Sequence, residues 1–176
     1  MKYIVFTGGP GAGKTSLLNA LQQQGHVCVP ESGRLIMQRR KAQGLSARPS
    51  PKTFAREMLA LDIQHYEDLP SHTSLAFFDR SVLDALSLLS VQCQLSDSQI
   101  QHYVVQYLYH TQVFVAPPWS EIFFQDQERD QSFEESIRIC TRLSHFYSQH
   151  GYTCITLPKK SIEQRVQFVL ERCEEI

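Results

Sequence analysis

Asparagine is nearly missing from this chain: Asn19 is its one copy, against eighteen glutamines in 176 residues. Asn19 lies inside a predicted helix, so no NKxD motif exists, and a switch GTPase that reads guanine through that motif is excluded. The five cysteines, Cys28, Cys93, Cys140, Cys154 and Cys173, include no CxxC pair and are odd in number. That excludes a zinc ribbon or a dithiol redox pair, and the expectation is reduced thiols in a cytoplasmic protein, packed as small hydrophobes. No apolar run approaches the ~18 residues of a membrane span. Lys2 followed by Tyr3-Ile4-Val5-Phe6 begins like a secretory signal, but the apolar stretch is too short and glycines follow at once. Strong charge is missing too: the net charge is −1 and the pI about 6.6, which argues against a broad basic surface for duplex nucleic acid. There is no internal repeat and no low-complexity tract.

What is there is an ordinary globular composition, 42% hydrophobic and 20% charged. The length predicts a single domain over residues 1–176, of the roughly 100–200 residue class, with a small lid inserted at about 125–135. Strand-like and helix-like segments alternate. Residues 3–6, 27–29, 75–78, 112–116 and 152–157 read as strands. Residues 14–24, 33–41, 53–66, 82–91, 97–109, 133–150 and 161–173 read as helices, with 44–51 a loop. LAFF at 75–78 is an uninterrupted apolar run, as expected of a central parallel strand, and Ser161 three before Gln164 fits a capping box. Alternation of this kind predicts right-handed crossovers and a three-layer α/β fold around a five-stranded parallel sheet. Ligands in such sheets bind beyond the carboxyl ends of the strands, so the polar residues that close each strand carry the functional information.

After the first strand comes Gly8-Gly9-Pro10-Gly11-Ala12-Gly13-Lys14-Thr15, a full GxxxxGK[ST] match, with Ser16 next. Glycines allow a tight turn whose backbone N–H groups face phosphate oxygens. Lys14 has the reach for the β- and γ-phosphates, and the Thr15 hydroxyl suits Mg²⁺. The helix that follows turns its positive end to the same anion. The competing interpretation is an ordinary glycine-rich βα turn. A predicted strand before the motif and an amphipathic helix after it favour nucleotide binding.

The third strand delivers Asp79-Arg80-Ser81. A carboxylate closing an apolar strand is the usual second half of such a site, holding Mg²⁺ directly or through water, although an Asp there can also cap the next helix. Where many ATP-hydrolysing enzymes of this architecture place a water-activating Glu, this chain has Arg80. An arginine is no base, but it stabilises charge on a phosphoryl group in transit. That shifts the expectation from hydrolysis toward transfer to an organic acceptor. The second strand delivers Glu31 to the same edge, where it could orient an acceptor hydroxyl and take its proton, or simply face the dipole of the helix it opens.

GGPGAGKT, Glu31 in PESGR and FDRSVLD together resemble the small P-loop, kinase-like "predicted ATPase" family with an AAA-type domain. That family includes the ribosylnicotinamide kinase domain and is related in design to the deoxynucleoside kinases. The resemblance extends to the tail, through Gly151-Tyr152, Leu157-Pro158 and the spacing of Ser161 to Arg165. It implies a P-loop fold, ATP and Mg²⁺ as cofactors, Glu31 as base, and Asp79 and Arg80 serving metal and phosphate. Residues 44–72 match nothing in the family.

Two charged segments stand out. Arg34, Arg39, Arg40, Lys41, Arg48, Lys52 and Arg56 occur with no acid between them, either to meet an anionic acceptor or as a solvated face. Glu121, Asp126, Glu128, Asp130, Glu134 and Glu135 surround Arg129, the candidate lid arginine that would close over the phosphates. Arg138 either joins that lid or pairs with Glu134 one turn before it. Lys159 and Lys160 follow the fifth strand, where related enzymes hold adenine, but they read first as a solvated turn. Phe54, Tyr66 and Trp119 could stack on a base and read first as packing residues.

The site expected is therefore Gly8–Ser16 around the nucleotide, Thr15 and Asp79 at the metal, and Lys14, Glu31, Asp79, Arg80 and Arg129 in catalysis. A kinase for a small-molecule acceptor is the leading reading. A nucleotide-dependent binding or regulatory protein and a simple NTP hydrolase are the alternatives.

Overall fold

The computed structural model describes residues 2–93, 95–123 and 131–174. β1 (Lys2–Gly8) runs into the glycine-rich loop and α1 (Lys14–Gln23) leaves it. β2 (Val27–Val29) leads to α2 (Ser32–Ala42) and α3 (Pro51–Glu67). β3 (Leu75–Asp79) is followed by α4 (Val82–Cys93) and α5 (Asp97–Gln106). β4 (Gln112–Ala116), α6 (Phe133–Gln149), β5 (Thr153–Thr156) and α7 (Ile162–Glu174) complete the order.

The fold is α/β, as the alternation predicts. All five strands are parallel, in the order β2-β3-β1-β4-β5. Because successive strand residues point to opposite faces, each strand feeds two cores. Tyr3, Val5, Phe78 and Val113 turn to one face, under α2 to α6. Ile4, Phe6, Phe77 and Phe114 turn to the other, under α1 and α7. These strand residues are all nearly or fully buried, which explains why the strands read as continuous apolar runs rather than alternating ones. β1 lies between β3 and β4, so the chain order reverses there, and the crevice beyond its carboxyl end is where such sheets take ligands.

Most boundaries shift by a residue or two from the sequence expectation, and two of the shifts have a visible cause. The loop expected over 44–51 gives up Pro51 to α3, with Ser50 as N-cap accepting from the Thr53 N–H. Proline needs no helical hydrogen bond at that position. The helix expected over 97–109 stops at Gln106. Tyr107 and Tyr109 both turn inward onto the edge of the Tyr66 ring, and residues two apart share a side only in extended backbone. The lid expected at about 125–135 falls largely outside the described residues. Its end, from Ser132, is the N-cap and first turn of α6, with a reciprocal Ser132–Glu135 capping box.

Candidate functional site

The glycine-rich loop is wedged between α6 and α7. Ser136 of α6 donates from its hydroxyl to the Pro10 carbonyl at 2.7 Å, and a Cβ on Gly9 would overlap the Ser136 carbonyl. Gly13 opens α1 in the left-handed region at φ 75°, and a Cβ there would meet a terminal nitrogen of Arg165 at 2.8 Å. Both positions therefore tolerate only glycine, for close approach and for backbone sign respectively. Lys14 is buried and donates to the carbonyls of Gly9 at 2.8 Å and Gly8 at 3.3 Å. Its ammonium thus lies within the curl of the loop itself.

Asp79 closes β3 beside this loop. Its Oδ2 accepts from the Thr15 hydroxyl at 2.9 Å, while its Oδ1 is buried with no hydrogen-bond partner among the described residues. Burial pushes the Asp79 carboxyl above its usual range, and the nearby Glu31 adds to this, against the pull of Lys14, Arg80 and Thr15. An orphaned carboxylate oxygen next to a hydroxyl is a hard oxygen donor set of the kind Mg²⁺ accepts. The residues here fit a divalent cation bound with phosphate.

Glu31 stands at the N-cap of α2, yet its side chain makes no capping hydrogen bond. It accepts from Arg80 Nε at 2.8 Å instead. Glu31 thus keeps its place at the helix end while its side chain bonds to Arg80. Arg80 is the one non-glycine residue with positive φ (76°) among the described residues. Its N–H still continues the β1–β3 ladder, donating to the Phe6 carbonyl at 2.9 Å. The chain then reverses sign, at a cost of order 1–3 kcal/mol, and throws the guanidinium back between Glu31 and Asp84, whose Oδ1 is 3.2 Å from it. Burial alone would lower the Arg80 pKa, but Glu31, Asp84 and Asp79 outweigh it and hold the group firmly cationic.

Asp84 is the functional residue the sequence reading passed over. It is 3% exposed and accepts from Thr7 Oγ1 (2.7 Å), Tyr147 OH (2.6 Å) and the Ser81 N–H (3.2 Å), besides Arg80. Its signal was available in FDRSVLD: a carboxylate in an otherwise apolar first turn, four residues after an arginine. A third buried carboxyl, Asp62 of α3, forms a short hydrogen bond with Ser32 of α2, one residue beyond Glu31. Burial lifts Asp62 to about 8, with the Ser32 bond opposing and the Asp84 charge adding. Asp62 therefore carries a proton at neutral pH and brings no second charge close to Glu31.

Glu31, Arg80, Asp84 and Pro10 help to line a cavity of about 290 Å³. Its walls are largely apolar, with Met37, Phe54, Met58 and Leu143, and Arg34, Arg48 and Arg142 add charge. The basic segment thus divides. Arg34 and Arg48 line this cavity; Arg40 pairs with Glu57 at 3.1 Å; Arg39, Lys41, Lys52 and Arg56 are exposed.

A second cavity, of about 450 Å³, opens on the other side of the loop. Gly11, Gly13, Ser16, Trp119, Lys159 and Arg165 help to line it. Trp119, read from sequence as a packing residue, is half-buried and faces this space. Lys159 and Lys160 also line it, and both are exposed in a bend, as the solvated-turn reading expects. Tyr66 does pack in the core, edge-on to Tyr3 and Tyr109. Arg165 is 2% exposed, donates to the Ala12 carbonyl at 3.3 Å and leaves its Nε without a partner among the described residues. Arg138 is exposed, and its charge helps hold Glu134 below its usual range, behind the local hydrogen bonds of Glu134 and Ser132. Arg129, the expected lid arginine, lies outside the described residues, as do Asp126, Glu128 and Asp130.

Among curated proteins, no sequence matches the chain. Solved structures do match its fold. Deoxyadenosine kinase from M. mycoides with bound dATP is 13% identical, at a TM-score of 0.66, over 99% of this chain and 100% of that one. The same enzyme with products dCMP and a flexible dCDP bound gives 14% and 0.68 over the same shares. Thymidylate kinase from Ehrlichia chaffeensis gives 15% and 0.66 over 98% of each chain. At these identities the likeness is one of fold. The family is shown by sequence: residues 3–165, from the first strand to the buried arginine of the last helix, match the model described as an AAA domain, and the chain belongs to that family.

Proposed function

We propose that this protein transfers the terminal phosphoryl group of ATP, bound with Mg²⁺, to a hydroxyl of a small-molecule acceptor. The observation that carries the reading is the pairing of Glu31 with Arg80 in the lining of a largely apolar-walled cavity that Pro10 of the phosphate loop also lines. A carboxylate and a guanidinium meet there, where an organic molecule fits. At about 290 Å³ the cavity is near the lower bound of ligand pockets, roughly 300–1,000 Å³, which suits a small metabolite.

The roles follow from position. The backbone of residues 8–16 cradles the phosphates, and Lys14 turns from its own loop carbonyls to the β- and γ-phosphates. Thr15 and Asp79 would hold a bound Mg²⁺, which would supply neutralising charge at the phosphates. The ribose and base of the nucleotide rest in the second cavity, near Trp119 and Arg165. Glu31, oriented by Arg80, takes the acceptor's O–H proton as the acceptor oxygen bonds to phosphorus and the nucleoside diphosphate leaves. Arg80 stabilises charge on the phosphoryl group in transit. A reducing cytoplasm suits the five free thiols, all at least half-buried, and no described helix is long and apolar enough to cross a membrane.

The test is ADP release across a library of hydroxylic metabolites, with and without each acceptor. Acceptor-dependent release is expected, and Glu31→Gln should slow it by about 10²–10⁴ while sparing ATP binding. Turnover that ignores the acceptor would make the protein a hydrolase. Tight ATP binding with no turnover would make it a nucleotide-gated binding protein.

A further inference from the structure

Glu31 immediately precedes α2, and the first turn of that helix lies directly on α3. A Cβ on Gly33 would come within 3.3 Å of the Phe54 ring and 3.6 Å of the Met58 sulfur. Ser32, between Glu31 and Gly33, is buried and fastens this contact through its short hydrogen bond with Asp62. His65 Nδ1, one turn further along α3, lies 3.4 Å from the same hydroxyl. Gly33, Phe54 and Met58 line the cavity that Glu31 also lines. The joint between α2 and α3 therefore sets both an acceptor wall and the place from which the backbone delivers Glu31.

A carboxyl is costly to bury for packing alone. Asp62 is buried all the same, and its Oδ2 has no hydrogen-bond partner among the described residues. A neutral carboxyl suits such surroundings better than a carboxylate, in keeping with its rise to about 8 under burial. The charged and titratable groups around it are Glu31 before α2, Arg80 after β3, Asp84 on α4, Tyr109 before β4 and His65 on its own helix. Asp84 and Glu31 oppose a negative charge on Asp62, and Arg80 favours one. An ionised Asp62 would thus compete with Glu31 for Arg80, the group to which Glu31 is bonded.

We infer that Asp62 is a positioning residue for the proposed base: through Ser32 it fixes the first turn of α2 and, with it, the line along which Glu31 meets Arg80 and the cavity. This rests on the phosphoryl-transfer reading of Glu31. It also gives a task to residues 44–72, the stretch without a family motif. Asp62 performs it as a neutral acid, so the arrangement loosens when Asp62 ionises.

Nuclear magnetic resonance of protein labelled with ¹³C at the Asp and Glu carboxyl carbons reads this without turnover. The two signals are identified by their loss in Asp62→Asn and Glu31→Gln. In the wild type, the Glu31 signal should shift as Asp62 titrates near pH 8; in Asp62→Asn it should not. At neutral pH, Asp62→Ala and Ser32→Ala remove one hydrogen bond from its two ends and should displace the Glu31 signal in the same direction. Asp62→Asn keeps that bond and should leave the signal close to its wild-type position. In turnover, both alanine variants should lower kcat about tenfold or more with KM for ATP unchanged, the scale of a misplaced catalytic group, and Asp62→Asn should recover most of that loss. Wild-type kcat should fall about tenfold per pH unit above about 8, the slope of one ionisation, and this limb should be missing in Asp62→Asn. Circular dichroism checks that each variant folds, and the wild-type titration needs no variant fold at all. A Glu31 signal that ignores the titration of Asp62 overturns the inference. So does a kcat unaltered in the folded alanine variants, a loss confined to KM, or an alkaline limb that persists in Asp62→Asn. The kinase reading fails separately, if the Glu31 signal follows Asp62 and no acceptor supports ADP release.

Discussion

Lys14 illustrates how one side chain is committed by its surroundings. It is buried and its partners are loop carbonyls, so its charge is positioned for an anion entering the loop. Lys14→Ala should cut turnover by at least ~10², the cost of deleting one preorganised donor from a phosphoryl site, with an unchanged circular dichroism spectrum. Full turnover in this variant would place the chemistry elsewhere. At this scale the motif residues were legible, because GxxxxGK[ST] needs its glycines, lysine and threonine at fixed offsets. Glu31 was legible as the polar residue after a strand, but its side-chain partner was not. That partner is Arg80, 49 residues away in sequence, with a positive φ of its own.

At the scale of elements, α4 and α6 are tied to the site through one carboxylate. Tyr147 of α6 donates to Asp84 of α4 at 2.6 Å and shares a 2.6 Å hydrogen bond with the Ser81 hydroxyl, which also accepts from the Leu83 N–H at the start of α4. Asp84 in turn holds Arg80. Tyr147→Phe should lower unfolding free energy in urea by about 1.5–3 kcal/mol, as expected for a hydrogen bond to a charged group. It should also reduce kcat more than it raises KM for ATP, since Arg80 loses part of its support. A stability loss with unaltered kcat would leave Tyr147 as a packing residue alone. The helices themselves were readable from apolar spacing and caps. Their ends moved where a tertiary contact outbid local pattern, as with Tyr107 and Tyr109 folding onto Tyr66.

For the whole molecule, pH couples folding to the buried carboxyl behind the site. Asp62 titrates at about 8 in the folded chain against an ordinary 3.8. Between those values the folded state holds a proton that the unfolded state has released. The contribution of this group to stability therefore falls as pH rises from about 4 to about 8, and levels off above. Asp62→Asn, neutral throughout, should flatten the fall of urea-derived stability between pH 5 and 8, by up to about 1.4 kcal/mol per pH unit. Identical slopes in the two proteins would show that Asp62 is ionised when folded.

The amino-acid order alone determined the α/β class, the five strands, the phosphate loop and the carboxylate that closes β3. These are set by apolar runs, caps and fixed-offset motifs, all of which act over a few residues. Only the tertiary structure decided the strand order, the convergence of Glu31, Arg80 and Asp84, the burial of Asp62 and the turn of Arg34, Arg48 and Arg142 into one cavity. Each of those depends on residues far apart in the chain, where burial and long-range charge, rather than local preference, set the outcome.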